Sequence, residues 1–166
     1  MSDDQHPDVK IPIEIERKFR VTDNGWQQNA QATPMRQGYL ARTQKSVVRV
    51  RIAGATPWLT IKTKGPGITS PEFEYEIPLP HAEYLLTQCE GAIIEKTRYV
   101  VHHDGDTWEV DVFEGVNAGL VIAEIELESE EQAFTRPPWL GKEVTEDRRF
   151  KNSRLCEEPY RDDWTE

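Results

Sequence analysis

The chain has 166 residues, of which 37% are hydrophobic and 30% are charged, and its formal net charge is −10. This length suits a single domain that buries a sizeable core. The acidic balance disfavours nonspecific binding to nucleic acid or to an anionic membrane, because the long-range field of the protein repels both. An anionic ligand would therefore need a local basic site within an acidic protein.

The cysteine content and the N-terminal segment indicate the cellular compartment. Cys89 and Cys156 are far apart in the sequence and lack metal-binding spacing, which is typical of free thiols in a reducing compartment. Residues 1–10 are polar and acidic, without the apolar segment of a secretory signal. No apolar run approaches the roughly 20 residues that a membrane-spanning helix needs. We therefore predict a soluble cytoplasmic protein with a flexible N-terminal tail at 1–10.

The predicted elements are mainly strands. The first, at 11–21, alternates strictly: Glu14, Glu16 and Lys18 fall on one face, and isoleucines with Phe19 fall on the other. Short helices are predicted before Pro34, at 80–91, within 129–137 and at 152–158. About eight strands with few helices indicate an antiparallel barrel. The further predicted strands are 35–42, 46–54, 58–65, 71–79, 93–103, 107–115 and 119–129.

Charged residues in these strands recur at every second position and therefore share one face. The rows on this face are sorted by sign, whereas a solvated face usually mixes charged and neutral polar side chains. Like charges placed side by side repel each other unless a group of opposite charge lies between them. The rows are Glu14, Glu16 and Lys18; Arg49 and Arg51; Lys62 and Lys64; Glu72, Glu74 and Glu76; Lys96 and Arg98; Glu109 and Asp111; and Glu124, Glu126 and Glu128.

Two barrels fit this alternation. In an ordinary barrel the apolar faces point inward and the charged faces meet water. In an inverted barrel the charged faces line a wet central channel. Carboxylate rows suit hard divalent cations, which take oxygen ligands, and Lys and Arg rows suit phosphate oxygens. A metal-bound polyphosphate would satisfy both kinds of row, so we favour the inverted barrel.

The order of the charged motifs resembles that of the CYTH superfamily, the triphosphate tunnel metalloenzymes. The segment EIERK at 14–18 matches its ExExK signature. The resemblance continues through QGYL, VRVR, LTIKTKG, EFEYEIPL, EKTRY, WEVDVFEG, AEIELE and WLGKEVTEDRRFKN, and covers roughly residues 11–155. Phe150 departs from the pattern, since the family often has Tyr there. The chain is most similar to short bacterial members, which resemble inorganic triphosphatases.

The resemblance implies a mainly β fold, an eight-stranded antiparallel β-tunnel flanked by short helices, with a C-terminal helix plugging one end. The tunnel domain would span 11–155, followed by an acidic tail at 156–166. The implied activity is metal-dependent hydrolysis of inorganic tripolyphosphate to pyrophosphate and phosphate.

The resemblance also implies roles for individual residues. Tyr39 would accept a proton, with Lys96 as its partner. Glu74 or Glu76 would assist the metal site. The implied ligands of Mg²⁺ or Mn²⁺ are Glu14, Glu16, Glu124, Glu126 and Asp111. The implied phosphate-binding residues are Lys18, Arg49, Arg51, Lys62, Lys64 and Arg98.

Two other classes of function remain open. The same tunnel could serve a class IV adenylate cyclase or a thiamine or nucleoside triphosphatase, although no base-recognising aromatic pair stands out. A noncatalytic polyphosphate-binding module is the other alternative, but binding alone needs cations more than it needs carboxylate rows. Apolar residues on the outer faces of the strands also predict a homodimer.

Overall fold

The computed structural model describes residues 9–164, and in this part of the chain nine strands form one antiparallel sheet. The predicted tail therefore lies outside the described residues, apart from Val9 and Lys10. The helices are α1 (Leu79–Thr87) and α2 (Asn152–Leu155), with 3₁₀ turns at Gly25–Gln27, Gly115–Asn117 and Arg148–Phe150. The strands are β1 (Ile13–Val21), β2 (Gln31–Arg42), β3 (Ser46–Ala53), β4 (Thr56–Thr63), β5 (Thr69–Glu76), β6 (Glu90–His103), β7 (Asp106–Phe113), β8 (Val121–Glu126) and β9 (Leu140–Glu143).

Strand β1 closes the sheet into a barrel. The strand order is β5-β4-β3-β2-β6-β7-β8-β1-β9, with an additional pairing between β5 and β1. One edge of β1 pairs with β8. The other edge pairs with β5 at residues 13–15 and with β9 at Phe19 and Val21. The structure is thus a closed eight-stranded antiparallel barrel with one extra strand, which confirms the predicted fold class.

The apolar faces of the strands point away from the channel and are covered from outside. Helix α1 packs Ala82 and Leu86 over Val50 and Ile52. On the opposite side, the chain after β8 covers Phe19 and Trp108 of the barrel with Phe134 and Trp139. Burial of these large side chains supplies hydrophobic stabilisation that the charged part of the barrel interior cannot supply.

One end of the channel is filled by apolar side chains. Ile94, Phe113 and Ile122 each lie two positions from a charged inward-facing residue, so they share the inner face. They form a cluster with Leu155 and Cys156 at the C-terminal end of α2. Helix α2 therefore packs into this end of the barrel, as the family resemblance implied.

Two local predictions differ from the structure. Residues 129–137 form turns and extended chain, so the helix predicted there is wrong. The Gln132 side chain does reach back, but it accepts from the Glu128 amide at 2.6 Å, while Phe134 extends to pack on Trp108. The helix predicted before Pro34 is only a 3₁₀ turn, and β2 already begins at Gln31.

Two further observations concern the helices and the cysteines. None of the helices formed by residues 9–164 combines the length and the apolarity that a membrane crossing requires. Cys89 and Cys156 are free thiols.

Candidate active site

The charged rows face one large cavity inside the barrel, with a volume of about 1320 Å³. The alternation of β1, β3, β4 and β5 places most of their charged residues inward and their apolar residues outward. In β8, Glu124 and Glu126 face inward, and Ile122 shares their face. Lys96, Asp111 and Glu76 do not line the cavity, although Glu74 does. The predicted residues that line it are Glu14, Glu16, Lys18, Tyr39, Arg49, Arg51, Lys62, Lys64, Arg98, Glu124 and Glu126.

Cations and carboxylates of different strands pair across the cavity wall. The Lys62 ammonium lies 2.5 Å from Glu14 and 3.7 Å from Glu72, which joins β4 to β1 and β5. The Lys18 ammonium lies 3.3 Å from Glu124 on the neighbouring strand. The charges of the tunnel wall are therefore paired with each other. An anionic ligand that enters must replace the carboxylates as the partners of Lys62 and Lys18.

Lys96, Arg98 and Asp111 form a buried network beneath the cavity surface. Arg98 donates to both oxygens of the Asp111 carboxylate at 2.7 and 2.8 Å. The Lys96 ammonium donates to Asp111 at 2.6 Å and to Asn152 at 3.1 Å. The side chains of Lys96 and Asp111 are both 0% exposed. The Asp111 carboxylate therefore holds the Lys96 ammonium and the Arg98 guanidinium in place.

Burial and neighbouring charges shift the pKa values of this network in opposite directions. Burial disfavours ionised Asp111, but Lys96 and Arg98 outweigh it and hold the pKa of Asp111 well below its usual range. Burial lowers the pKa of Lys96 to about 8, although Asp111 opposes this shift. The negative charge of Asp111 is therefore the firmly fixed member of the pair.

Glu16 and Glu126 are directly opposite each other in the β1–β8 pair. Burial, followed by repulsion from Glu124, raises the pKa of Glu16 well above its usual range. Burial and repulsion from Glu14 also raise the pKa of Glu126. Glu124 differs: burial opposes its ionisation, but Lys18 and Arg98 lower its pKa to about 2. The cavity thus contains a carboxylate pair whose charge the protein balances only in part, through Lys18 and Lys62.

Tyr39 lies at the inner end of the cavity and is 4% exposed. Its hydroxyl accepts from the side-chain amide of Gln37 at 3.5 Å, and Gln37 in turn accepts from Arg51 at 2.8 Å. No hydrogen bond joins Tyr39 to Lys96 within residues 9–164. Burial raises the pKa of Tyr39, so the phenol stays protonated at neutral pH and has a proton to donate.

Other residues of the site are not singled out by the predicted roles. Glu72 and Glu109 line the cavity, and both belong to the acidic rows of the sequence. Gln37 is fully buried, and its place in QGYL beside Tyr39 was a signal for it. Lys151 also lines the cavity, but it follows a 3₁₀ turn, so strand alternation could not have found it.

The fold and the cavity define a class of protein, an antiparallel barrel whose interior presents carboxylates and cations to an anionic ligand. Residues 12–155 match the CYTH domain family, and the chain belongs to this family.

The proteins similar to this chain include the following two curated relatives and two solved structures. An inorganic triphosphatase of Acetivibrio thermocellus is 46% identical over 149 residues, which cover 89% of this chain and 96% of that protein. An inorganic triphosphatase of Nitrosomonas europaea is 42% identical over 149 residues, which cover 86% of this chain and 96% of that protein. The crystal structure of an inorganic triphosphatase is 41% identical with a TM-score of 0.66, covering 86% of this chain and 93% of its own. A conserved hypothetical protein from Pyrococcus furiosus shares the fold. It is 22% identical with a TM-score of 0.57, and the match covers 71% of this chain and 80% of that chain.

Proposed function

We propose that this protein hydrolyses inorganic tripolyphosphate to pyrophosphate and phosphate in the barrel cavity. The observation that carries the proposal is that acidic and basic rows face each other around one cavity, as a metal-bound polyphosphate requires. The two inorganic triphosphatases that match nearly the whole chain support the same substrate.

The carboxylates of the cavity fit a divalent cation. No group of three acidic, His or Cys side chains within residues 9–164 is already gathered as a metal site. The raised pKa values of Glu16 and Glu126, however, mark negative charge that a cation would stabilise. We propose that Glu14, Glu16, Glu124 and Glu126 hold Mg²⁺ or Mn²⁺, since both cations prefer oxygen ligands. When bound, the cation would supply positive charge to the phosphate oxygens and to the attacking water.

The basic rows would hold the phosphate chain. Arg49 has a buried Nε atom without a hydrogen-bond partner in residues 9–164, and it lies in the cavity wall. A phosphate oxygen would satisfy this donor, because a guanidinium binds phosphate through several parallel hydrogen bonds. We propose the same role for Lys18, Arg51, Lys62, Lys64 and Arg98.

We assign Asp111 and Lys96 to positioning, and not to the metal-binding and proton-transfer roles that the resemblance implied, because they bind each other and Arg98. Their buried contacts orient Arg98 toward the cavity and fix Asn152 of α2. For Tyr39 we propose a donor role in place of the implied acceptor role: its hydroxyl would donate its proton to a phosphate oxygen, because Gln37 already donates to its oxygen. The protein would then hold the terminal phosphorus in line with the attacking water, which is most of what phosphoryl transfer needs.

Hydrolysis would take place in the cytoplasm, with a free triphosphate as substrate and without nucleic acid or membrane. A homodimer stays a prediction. Tyr75, Leu79 and Tyr84 are exposed apolar residues near α1 that such a contact could cover.

The test is product analysis after incubation with tripolyphosphate, ATP and thiamine triphosphate, each with Mg²⁺, Mn²⁺ or EDTA. We expect equal amounts of pyrophosphate and phosphate from tripolyphosphate, only when metal is present, and much slower reaction of the other two. Cyclic AMP from ATP would identify a cyclase. Binding of tripolyphosphate without any product would identify a polyphosphate-binding module and overturn the proposal.

A further inference from the structure

Residues 157–164 follow the part of the chain that matches the CYTH family, yet they pack onto the barrel. The Tyr160 amide donates to the buried Asn117 side chain at 2.7 Å. The Asn117 amide donates in turn to the Leu155 carbonyl of α2 at 3.3 Å. One side chain thus ties this segment and the end of α2 to the same place on the barrel.

The segment contributes two rings to a stack of aromatic and guanidinium groups. The Trp164 ring meets the rings of Phe150 and Tyr160 edge-on, at centroid distances of 5.7 and 5.6 Å. The Arg149 guanidinium lies over both Phe150 and Trp164, at 5.6 and 5.5 Å. Arg20 of β1 lies over Phe150 and Tyr160. We call Tyr160 and Trp164 the C-terminal clasp.

Through Trp164, the C-terminal clasp contacts Phe150, whose backbone carbonyl binds the ammonium of Lys18. The Phe150 carbonyl accepts from the Lys18 ammonium at 3.3 Å, and Phe150 is 2% exposed. Lys18 lines the cavity and also pairs with Glu124 at 3.3 Å. The position of the Phe150 backbone therefore helps to decide whether the ammonium stays between these two partners.

We propose that Trp164 is a positioning residue that acts through Phe150 to keep Lys18 available to the triphosphate. The inference rests on the proposed function, because Lys18 matters here as a ligand of phosphate. Without the Trp164 ring, Phe150 loses one face of its packing and its carbonyl is free to shift. Lys18 would then lose its backbone acceptor and be held by carboxylates alone, since Glu124 and Glu16 already lie 3.3 and 4.0 Å from its ammonium. Its charge would be more fully committed to these carboxylates before substrate arrives.

The test compares Trp164→Ala, Trp164→Leu and Trp164→Phe with the wild type. Trp164→Leu retains apolar volume and serves if the alanine variant fails to fold. We expect the Ala and Leu variants to raise KM for tripolyphosphate about tenfold with little change in kcat. Loss of the hydrogen bond between Lys18 and a phosphate oxygen would weaken binding by roughly that factor. Trp164→Phe should restore KM, because it keeps an aromatic ring against Phe150. Arg161→Ala is the control, since Arg161 is exposed and pairs only with Asp163 in the described chain.

Stability and function are separated by measuring KM well below the unfolding temperature of each variant. An unchanged KM in Trp164→Ala and Trp164→Leu, with or without a lower unfolding temperature, would overturn the positioning role and leave the proposed function intact. If the wild type binds tripolyphosphate without hydrolysing it, the proposed function fails. The Kd from calorimetry then replaces KM in the same comparison, with the same expected and contradicting results.

Discussion

Glu16 and Glu124 are neighbouring tunnel carboxylates whose pKa values shift in opposite directions. Burial and Glu124 raise the pKa of Glu16, whereas Lys18 and Arg98 overcome burial and lower the pKa of Glu124 to about 2. The protein therefore compensates one charge and leaves the other to be compensated by a ligand. Such an arrangement stores unfavourable free energy at the site in the metal-free protein, as is frequent at functional sites.

We predict opposite effects of Glu16→Gln on stability and on activity. Because the folded pKa of Glu16 lies well above its usual value of 4.5, its ionisation costs stability as the pH rises through the folded pKa. In EDTA at pH 7 the variant should unfold about 3 °C higher than the wild type, and the difference should vanish below pH 4.5. Metal-dependent hydrolysis should fall about 100-fold or more, because a metal ligand is lost.

Differential scanning calorimetry and a phosphate-release assay check the two halves of this prediction. Glu131→Gln is the matched control, because Glu131 is exposed and lies outside the cavity. Wild-type activity in Glu16→Gln would contradict the metal role of this residue. A lower unfolding temperature at pH 7 in EDTA would contradict the interpretation of its raised pKa.

Asp111→Asn should be far more destabilising than removal of the whole ion pair. The single substitution leaves the Lys96 ammonium buried without its carboxylate, which typically costs about 3–5 kcal/mol. In the Lys96→Met, Asp111→Asn double variant no uncompensated ammonium remains, and Arg98 still has Glu109 and Glu124 as partners, so the loss should be smaller. Urea unfolding measures both, and a single-variant loss below about 1 kcal/mol would show that Asp111 does not fix this network.

At the scale of elements, alternation was a reliable signal wherever a strand has one charged and one apolar face. It predicted β1, β3 and β4 within about two residues at either end. It failed for β9, which has only four residues and no alternation. This strand forms because β5 leaves the end of β1 near Phe19 and Val21 unpaired, a fact that depends on barrel closure.

Because α2 packs into the barrel, we expect the Cys156 thiol to react slowly with thiol reagents. Its side chain is 3% exposed, and burial raises the pKa of the thiol to about 11, so little thiolate is available to react. We expect an aromatic disulfide reagent to label Cys89 first and Cys156 only slowly in the native protein. Cys89→Ala isolates the slow thiol. Equal labelling rates of both thiols in the native protein would mean that α2 does not stay packed in its end of the barrel.

At the scale of the whole molecule, the sequence contained enough information for the inverted barrel and for most of its lining. Sorted rows of charge predicted which faces meet, because like charges in a row require a compensating partner. The actual ion pairs were not predictable in this way. Lys62 pairs with Glu14, 48 residues away, only because β5 closes onto β1. Asp111 alternates with the lining residues, yet its side chain is drawn under the surface by Lys96 and Arg98.

Among the strand pairings that close the eight-stranded barrel, β1–β5 should be the weakest. Three residue pairs join β1 to β5, whereas eight join β2 to β6. Short seams open locally at lower free energy than long ladders. Amides at the β1–β5 seam should therefore exchange with deuterium faster than those between β2 and β6, and tripolyphosphate with metal should slow the seam selectively. Uniform exchange across both pairings would contradict this prediction.

The most direct test of a metal-bound triphosphate in the tunnel is a crystal structure after a brief soak in tripolyphosphate and Mn²⁺, with anomalous data for manganese. We expect a manganese peak beside Glu16 and Glu126, with phosphate density against Arg49 and Lys62. Manganese and phosphate bound only outside the tunnel would contradict it.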